Sequence, residues 1–301
     1  MENLFTRVKA PKLSENQFDF AQTLLSQAVV HQYLLETTQA VSLTGQRPDK
    51  LVLNPHEIHV WMFTLDQPPD KADYLASLLN PDELSRAARY LSEKAGQRFT
   101  VGRGWLRLIL SVYLKGTPRN LVFRYGANGK PYLETSSSGN GNGSPPSFNL
   151  THSNGIALLA ITQRGHIGID LEYIHAIPEI DTIASHYFSP RECAALGSLP
   201  EKEKITAFLN IWTSKEAYIK ARGDGFSLPF NSFDIAVYKH NAEIKIETNS
   251  PNSGNVLTPD PQWRFIPVQA PHGFSAALVV EKNVTAEAIV NIARIWGLSS
   301  S

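Results

Sequence analysis

The sequence predicts an α+β protein made of two similar subdomains, each a sheet packed on one long helix. Two observations carry this. Helical spacing is sustained over about residues 92–114 and again near 203–221, and short strand-like runs flank both stretches. The two halves are also alike in size and in their order of elements, which points to an internal pseudo-duplication. With 301 residues, 42% of them hydrophobic, the chain can bury one large core or two medium ones.

Taken in order, Ser14-Glu15-Asn16-Gln17 reads as a capping box, followed by Phe18, Ala21, Leu25, Ala28 and Val29 at helical spacing. Gly45 and Pro48 stop that helix. Residues 1–55 are therefore expected to form an extension with one amphipathic helix, either packed on the body or offered to a partner. The first subdomain is expected over 56–165. It opens with a strand near 58–65, and Asn80-Pro81-Asp82-Glu83 supplies the cap, first-turn proline and third-position acid of a helix start. The long helix follows, then strands near 122–125 and 156–161. Between these strands, residues 135–147 are rich in Ser, Gly, Asn and Pro and read as a mobile surface loop. The second subdomain is expected over 166–301. A strand at 167–174 leads to a helix opened by Ser189-Pro190-Arg191-Glu192, and the helix near 203–221 ends at Gly223 and Gly225. Strands at 233–238, 263–268 and 274–280 close the unit, with a second low-complexity stretch at 248–262.

Composition narrows the functional classes. Basic and acidic residues balance at 28 each, so the net charge implies no polyanion partner and no nucleic acid. A single cysteine, Cys193, rules out an internal disulfide and a thiolate metal cluster. The longest apolar run, residues 106–114, contains Arg107 and is too short to span a bilayer. The N-terminus is polar and acidic where a signal peptide needs an apolar core. A cytoplasmic protein with no membrane segment is the expectation.

The chemistry concentrates in two motifs. In Gly168-Ile169-Asp170-Leu171-Glu172 the residues alternate like a strand: Ile167, Ile169, Leu171 and Tyr173 point one way, and Gly168, Asp170 and Glu172 the other. The two acids would then project from one face about 7 Å apart, either as solvated edge acids or as partners of a cation. The second motif is Trp212-Thr213-Ser214-Lys215-Glu216-Ala217-Tyr218-Ile219-Lys220. At 100° per residue, Glu216 falls in the stripe of Ile205, Phe208, Leu209, Trp212 and Ile219, so it faces inward. A buried carboxylate needs a pair or a metal, and the alternative here is an internal Glu216–Lys220 pair. Oxygen-only ligands select Mg²⁺, with Mn²⁺ as an alternative, over zinc. Three acids with two lysines suit a Mg²⁺–pyrophosphate complex.

These motifs resemble those of the Sfp-type 4′-phosphopantetheinyl transferases, namely a G-(I/V)-D-x-E strand followed about forty residues later by W-(S/T)-x-K-E-(A/S)-x-x-K. Phe148-Asn149-Leu150-Thr151-His152-Ser153 is similar to that family's F-N-(I/L)-S-H-S segment, and Gly129-Lys130-Pro131 to its G-K-P turn. The helix carrying Arg98 to Arg107 is similar to its arginine-bearing helix. Gly223-Asp224-Gly225-Phe226-Ser227-Leu228-Pro229 is similar to the sequence that follows its second motif. The resemblance covers about residues 58–282 with all blocks in order, and the overall cast is closest to cyanobacterial members.

The resemblance implies a reaction. Coenzyme A gives its phosphopantetheine arm to a serine of an apo acyl or peptidyl carrier protein, of fatty-acid, polyketide or peptide synthesis, and adenosine 3′,5′-bisphosphate leaves. It implies Asp170, Glu172 and Glu216 as Mg²⁺ ligands, and Asp170, Glu216 and Lys220 as the catalytic set, with Glu216 as one candidate base and a metal-bound water as the other. For coenzyme A it implies Arg86, Arg98, Arg103, Lys130, Pro131, Thr151, His152, Lys215 and Lys220. Arg98 and Arg103 are also compatible with plain helix-face arginines, and Lys130 with a solvated turn lysine. Thr151 stands where the family carries serine. The site is expected in the cleft between the two subdomains, and the chain length fits a monomer, because the family's short branch assembles as trimers. Two other readings remain at this point: a different Mg²⁺ enzyme acting on phosphodiesters, and a non-catalytic module that binds coenzyme A or a carrier.

Overall fold

The computed structural model describes residues 53–55, 57–134, 144–238, 243–249, 257–266, 268, 270–282 and 288–293. The helix expected at about 14–29 and most of the 135–147 loop lie outside them.

The first half contains β1 (Glu57–Thr64), α1 (Pro69–Ala76), α2 (Pro81–Ala87), α3 (Glu93–Tyr113), β2 (Phe123–Tyr125), β3 (Pro131–Leu133), β4 (Ser147–Ser153) and β5 (Ile156–Thr162). The second contains β6 (Ile167–Tyr173), α4 (Ile180–Tyr187), α5 (Pro190–Gly197), α6 (Glu201–Arg222), β7 (Phe233–Tyr238), β8 (Glu243–Asn249), β9 (Leu257–Pro259), β10 (Trp263–Ile266), β11 (Phe274–Glu281) and β12 (Ala288–Ala293). The capping signals act as the sequence predicts. Asn80 with Glu83, and Ser189 with Glu192, form complete capping boxes, and Ser92 caps α3. Gly223 ends α6 in the left-handed region at φ 78°, a conformation that costs glycine little.

Two sheets carry the architecture, in the orders β12-β1-β5-β4 and β10-β11-β6. They lie face to face. Ile58, Val60, Leu158 and Ala160 from the first pack on Ile167, Ile169, Leu171, Leu278 and Val280 from the second. The outer face of the first sheet takes α3, through Trp61, Phe63, Leu159 and Ile161 against Val101, Trp105 and Ile109. The outer face of the second takes α6, through Ala217, Tyr218, Ile219 and Ala221 against Ala277 and Val279. The result is helix, sheet, sheet, helix: each half supplies one sheet and one long helix. One strand breaks the symmetry, since β12 crosses back to pair in parallel with β1. No helix among the described residues is long and apolar enough to cross a membrane.

α1, β3, β4, α4, β8, β9 and β12 are not among the expected elements. β3 and β9 are three residues long, and β9 lies within the 248–262 stretch expected to be low-complexity. β8 alternates as Glu243-Ile244-Lys245-Ile246-Glu247, a strand period that sequence reasoning passed over.

Candidate active site

The alternation expected for 167–173 is realised by the two-sided packing of β6. Ile167, Ile169 and Leu171 enter the core between the sheets, which turns Gly168, Asp170 and Glu172 toward α6. Gly168 sets the distance. A Cβ built there would lie 2.1 Å from the Ala217 carbonyl oxygen and 2.3 Å from the Ala221 nitrogen. Only glycine lets the helix backbone rest directly on the strand. That close approach carries Glu216 and Lys220 up to the acids two and four residues further along.

The resulting cluster spans both motifs. Asp170 is 2% exposed. Its Oδ1 accepts hydrogen bonds from Lys220 Nζ at 2.5 Å and from Thr151 Oγ1 at 3.0 Å. Its Oδ2 is buried and has no hydrogen-bond partner. Glu172 Oε2 accepts from Ser153 Oγ at 2.9 Å. Lys220 Nζ also lies 4.0 Å from Glu216 Oε2, so one ammonium faces acids from both the strand and the helix. The internal Glu216–Lys220 contact weighed from sequence is therefore present, but as the weaker half of a larger cluster.

Charge and burial work against each other here. Burial raises the pKa of Glu216; Lys220 opposes the rise, while Asp170 and Glu172 add to it. Glu172 is raised by burial as well, with the Ser153 hydrogen bond opposing and Asp170 reinforcing. His152 is held below an ordinary histidine by partial burial, Lys220 and Arg98. Two acids that resist ionisation beside a carboxylate oxygen without a partner form a site that gains from a further cation. The donors are all hard oxygens, as Mg²⁺ requires, and the orphaned Asp170 Oδ2 is a free ligand atom. Among the described residues, however, no three His, Cys, Asp or Glu side chains are gathered as a ready-made metal centre. Lys220 shares the space between the acids instead.

The remaining expected residues divide. Arg98 pairs with Asp66 at 2.7 and 2.5 Å, and its charge is felt at His152. Arg86 is exposed and stacks over Phe99. Pro131 begins β3 and is half-buried. Four others are held by partners within the protein. Lys215 is fully buried and binds Glu192 Oε2 at 2.9 Å and the carbonyls of Phe230 and Phe233, because it leaves α6 on the flank away from the acids. Arg103 is buried against Glu83 at 2.5 Å and lies over Phe123. Lys130 donates to the backbone carbonyls of Ile167 and Ala221 at 2.9 and 3.0 Å, joining the β2–β3 turn to β6 and the end of α6. Thr151 spends its hydroxyl proton on Asp170. Each of these four is engaged with protein atoms in this conformation.

Sequence reasoning passed over Asn149, Ser153, Glu83 and Glu192. For the first two a signal exists: Asn149, Thr151 and Ser153 are polar at every second position. Glu83 and Glu192 were read as capping acids, which they are, but each also accepts buried cations from distant helices.

Family models and known proteins match both halves of the chain. A family model described as "4′-phosphopantetheinyl transferase superfamily" matches residues 166–277, and one described as "4′-phosphopantetheinyl transferase, N-terminal" matches 67–164. The chain is 42% identical over 181 residues to the 4′-phosphopantetheinyl transferase HetI of Nostoc sp., covering 60% of this chain and 75% of that protein. It is 30% identical over 187 residues to the transferase gsp of Aneurinibacillus migulanus, covering 60% and 73%. It is 25% identical over 206 residues to the transferase Sfp of Bacillus subtilis, covering 67% and 87%. Two aligned halves, each matched by its own model, and an acid–lysine cluster formed where they meet, place this chain among the 4′-phosphopantetheinyl transferases, as an enzyme of that family.

Proposed function

We propose that this enzyme moves the 4′-phosphopantetheine arm of coenzyme A onto a serine of an apo acyl or peptidyl carrier protein. The observation that carries the reading is the meeting of Asp170, Glu172, Glu216 and Lys220, with one buried oxygen of Asp170 left without a partner. In the reaction the serine oxygen bonds to the phosphorus that bears the pantetheine arm. The bond from that phosphorus to the bridging oxygen breaks, and adenosine 3′,5′-bisphosphate departs. Glu216, whose pKa is raised by burial, accepts the serine proton at its carboxylate. Lys220 gives hydrogen bonds to the pyrophosphate oxygens as charge builds there. Asp170, Glu172 and Glu216 would hold Mg²⁺, which supplies Lewis-acid stabilisation of the same oxygens when bound. His152 and Arg98 would hold the 3′-phosphate of the nucleotide, with Arg86 of α2 as a further basic group. Lys215 and Arg103 hold the helices that carry the site. One chain supplies both sheets and both helices, so the working unit is a monomer.

The test is direct. Purified protein is incubated with coenzyme A, Mg²⁺ and a panel of apo carrier proteins, and the products are weighed by mass spectrometry. Addition of one phosphopantetheine to the carrier serine, lost on chelation and restored by Mg²⁺, is the expected result. A panel that stays apo under all conditions would overturn the reading.

A further inference from the structure

β4 and β6 are edge strands of different sheets, and they are not paired by a backbone ladder. Side chains join them instead. Asn149 Oδ1 accepts from the Ile169 backbone nitrogen at 2.8 Å. Thr151 Oγ1 donates to Asp170 Oδ1 at 3.0 Å. Ser153 Oγ donates to Glu172 Oε2 at 2.9 Å and accepts from the Tyr173 backbone nitrogen at 3.0 Å. Every second residue of one strand thus grips the other, and both acids are gripped from the first half of the chain.

The consequence for the acids is specific. Asp170 Oδ1 is saturated by Thr151 and Lys220, and this directs the unpartnered Oδ2 elsewhere. The Thr151 hydroxyl is held in place, since its residue is buried and its side chain is β-branched and stiff at χ1. Ser153 accepts one hydrogen bond from the backbone, so its own proton is free to point at Glu172. Both hydroxyls occupy the position from which carboxylate ligands are commonly oriented in metal sites.

We propose that Thr151 and Ser153 are positioning residues, which aim the free oxygens of Asp170 and Glu172 at a common divalent cation. This rests on the reading that those acids bind the ion. It assigns the two hydroxyls to the acids, where a substrate phosphate would be the competing partner, and it makes the metal affinity of one half depend on a strand of the other.

The two assignments separate by experiment. Binding of Mn²⁺ to the full chain is measured by electron paramagnetic resonance without coenzyme A, for the parent, Thr151→Val, Thr151→Ser and Ser153→Ala. Circular dichroism checks that each is folded. The valine and alanine variants are expected to bind Mn²⁺ about 10-fold or more weakly, and Thr151→Ser to stay near the parent. Parent-like Mn²⁺ affinity in Thr151→Val and Ser153→Ala would overturn the proposal, and a raised KM for coenzyme A beside it would assign the hydroxyls to the phosphate. Should Thr151→Val fail to fold, Ser153→Ala carries the same test from a half-buried position. A parent that binds no Mn²⁺ would overturn the metal reading itself, and this inference with it.

Discussion

Glu83 in the first half and Asp170 in the second are both buried acids under basic side chains, yet they are finished differently. Glu83 accepts Arg103 on Oε1, and Arg107 and the Asn80 backbone on Oε2, so neither oxygen is spare. Burial pushes its pKa up, but the hydrogen bonds from Arg107, Asn80 and Arg103 outweigh that and leave it below the ordinary range. Asp170 satisfies one oxygen and leaves the other bare. A closed cluster of this kind holds helices together. An open one retains a demand for positive charge, which a substrate or ion can meet.

The two lysines of α6 repeat the contrast within one helix. Lys215 is fully enclosed, with Glu192 and two carbonyls as partners, and fastens α6 to α5 and β7. Lys220 is still 30% exposed and reaches Asp170 of β6 and Glu216 of its own helix. Five residues of separation, about 1.4 turns, place them on different flanks.

The comparison can be broken by substitution, and the largest effect is expected at the open cluster. Asp170→Ala should lower the rate of carrier modification by roughly 100-fold or more, while the midpoint of thermal unfolding moves by only a few degrees. A folded variant with parent-like turnover in the mass-spectrometric assay would end the argument. The reverse pattern is expected at the closed cluster. Glu83→Ala leaves two buried guanidiniums without their acid and should cost about 3–5 kcal/mol in urea unfolding; a change below about 1 kcal/mol would show that Arg103 and Arg107 find other partners.

A smaller effect tests the joint between the halves. Burial lowers the pKa of Lys130 to about 8, below its value in the unfolded chain. Between about pH 8 and 10 the unfolded state therefore binds more protons, and stability should rise with pH. The rise should be on the order of 1 kcal/mol after allowance for the partial exposure of this side chain. It should flatten in Lys130→Met; equal slopes in the two proteins would show that the ammonium is not confined. The least effect on stability is expected at Arg98→Ala, whose ion pair with Asp66 lies at the surface. Loss of that pair should change unfolding by under about 1 kcal/mol. Any role in holding the nucleotide would show as a raised KM for coenzyme A with kcat retained.

Much of this site was legible in the chain. The acids of β6 and those of α6 announce themselves by period, because a strand alternates by two and a helix by 3.6. Gly168 was visible as part of a motif, but its purpose, contact with the backbone of α6, was not. Helical spacing puts Lys215 and Lys220 on different flanks of α6 without saying which flank is enclosed, and Arg98 and Arg103 look alike in sequence. Which of each pair is enclosed depends on α5 and β7 in one case and on α2 in the other, and those neighbours are remote along the chain.

Local order alone decided the long helices, their caps, the strands with a clear apolar face and the chemical character of the cluster. These follow from residues within a turn or two of one another. The tertiary structure decided which polar groups were satisfied and which were left open, and it returned β12 to the first sheet. It also brought Thr151 and Ser153 to the acids. The reason is physical: a hydrogen bond acts over about 3 Å, and no pattern within one strand reveals what another strand will bring to that distance.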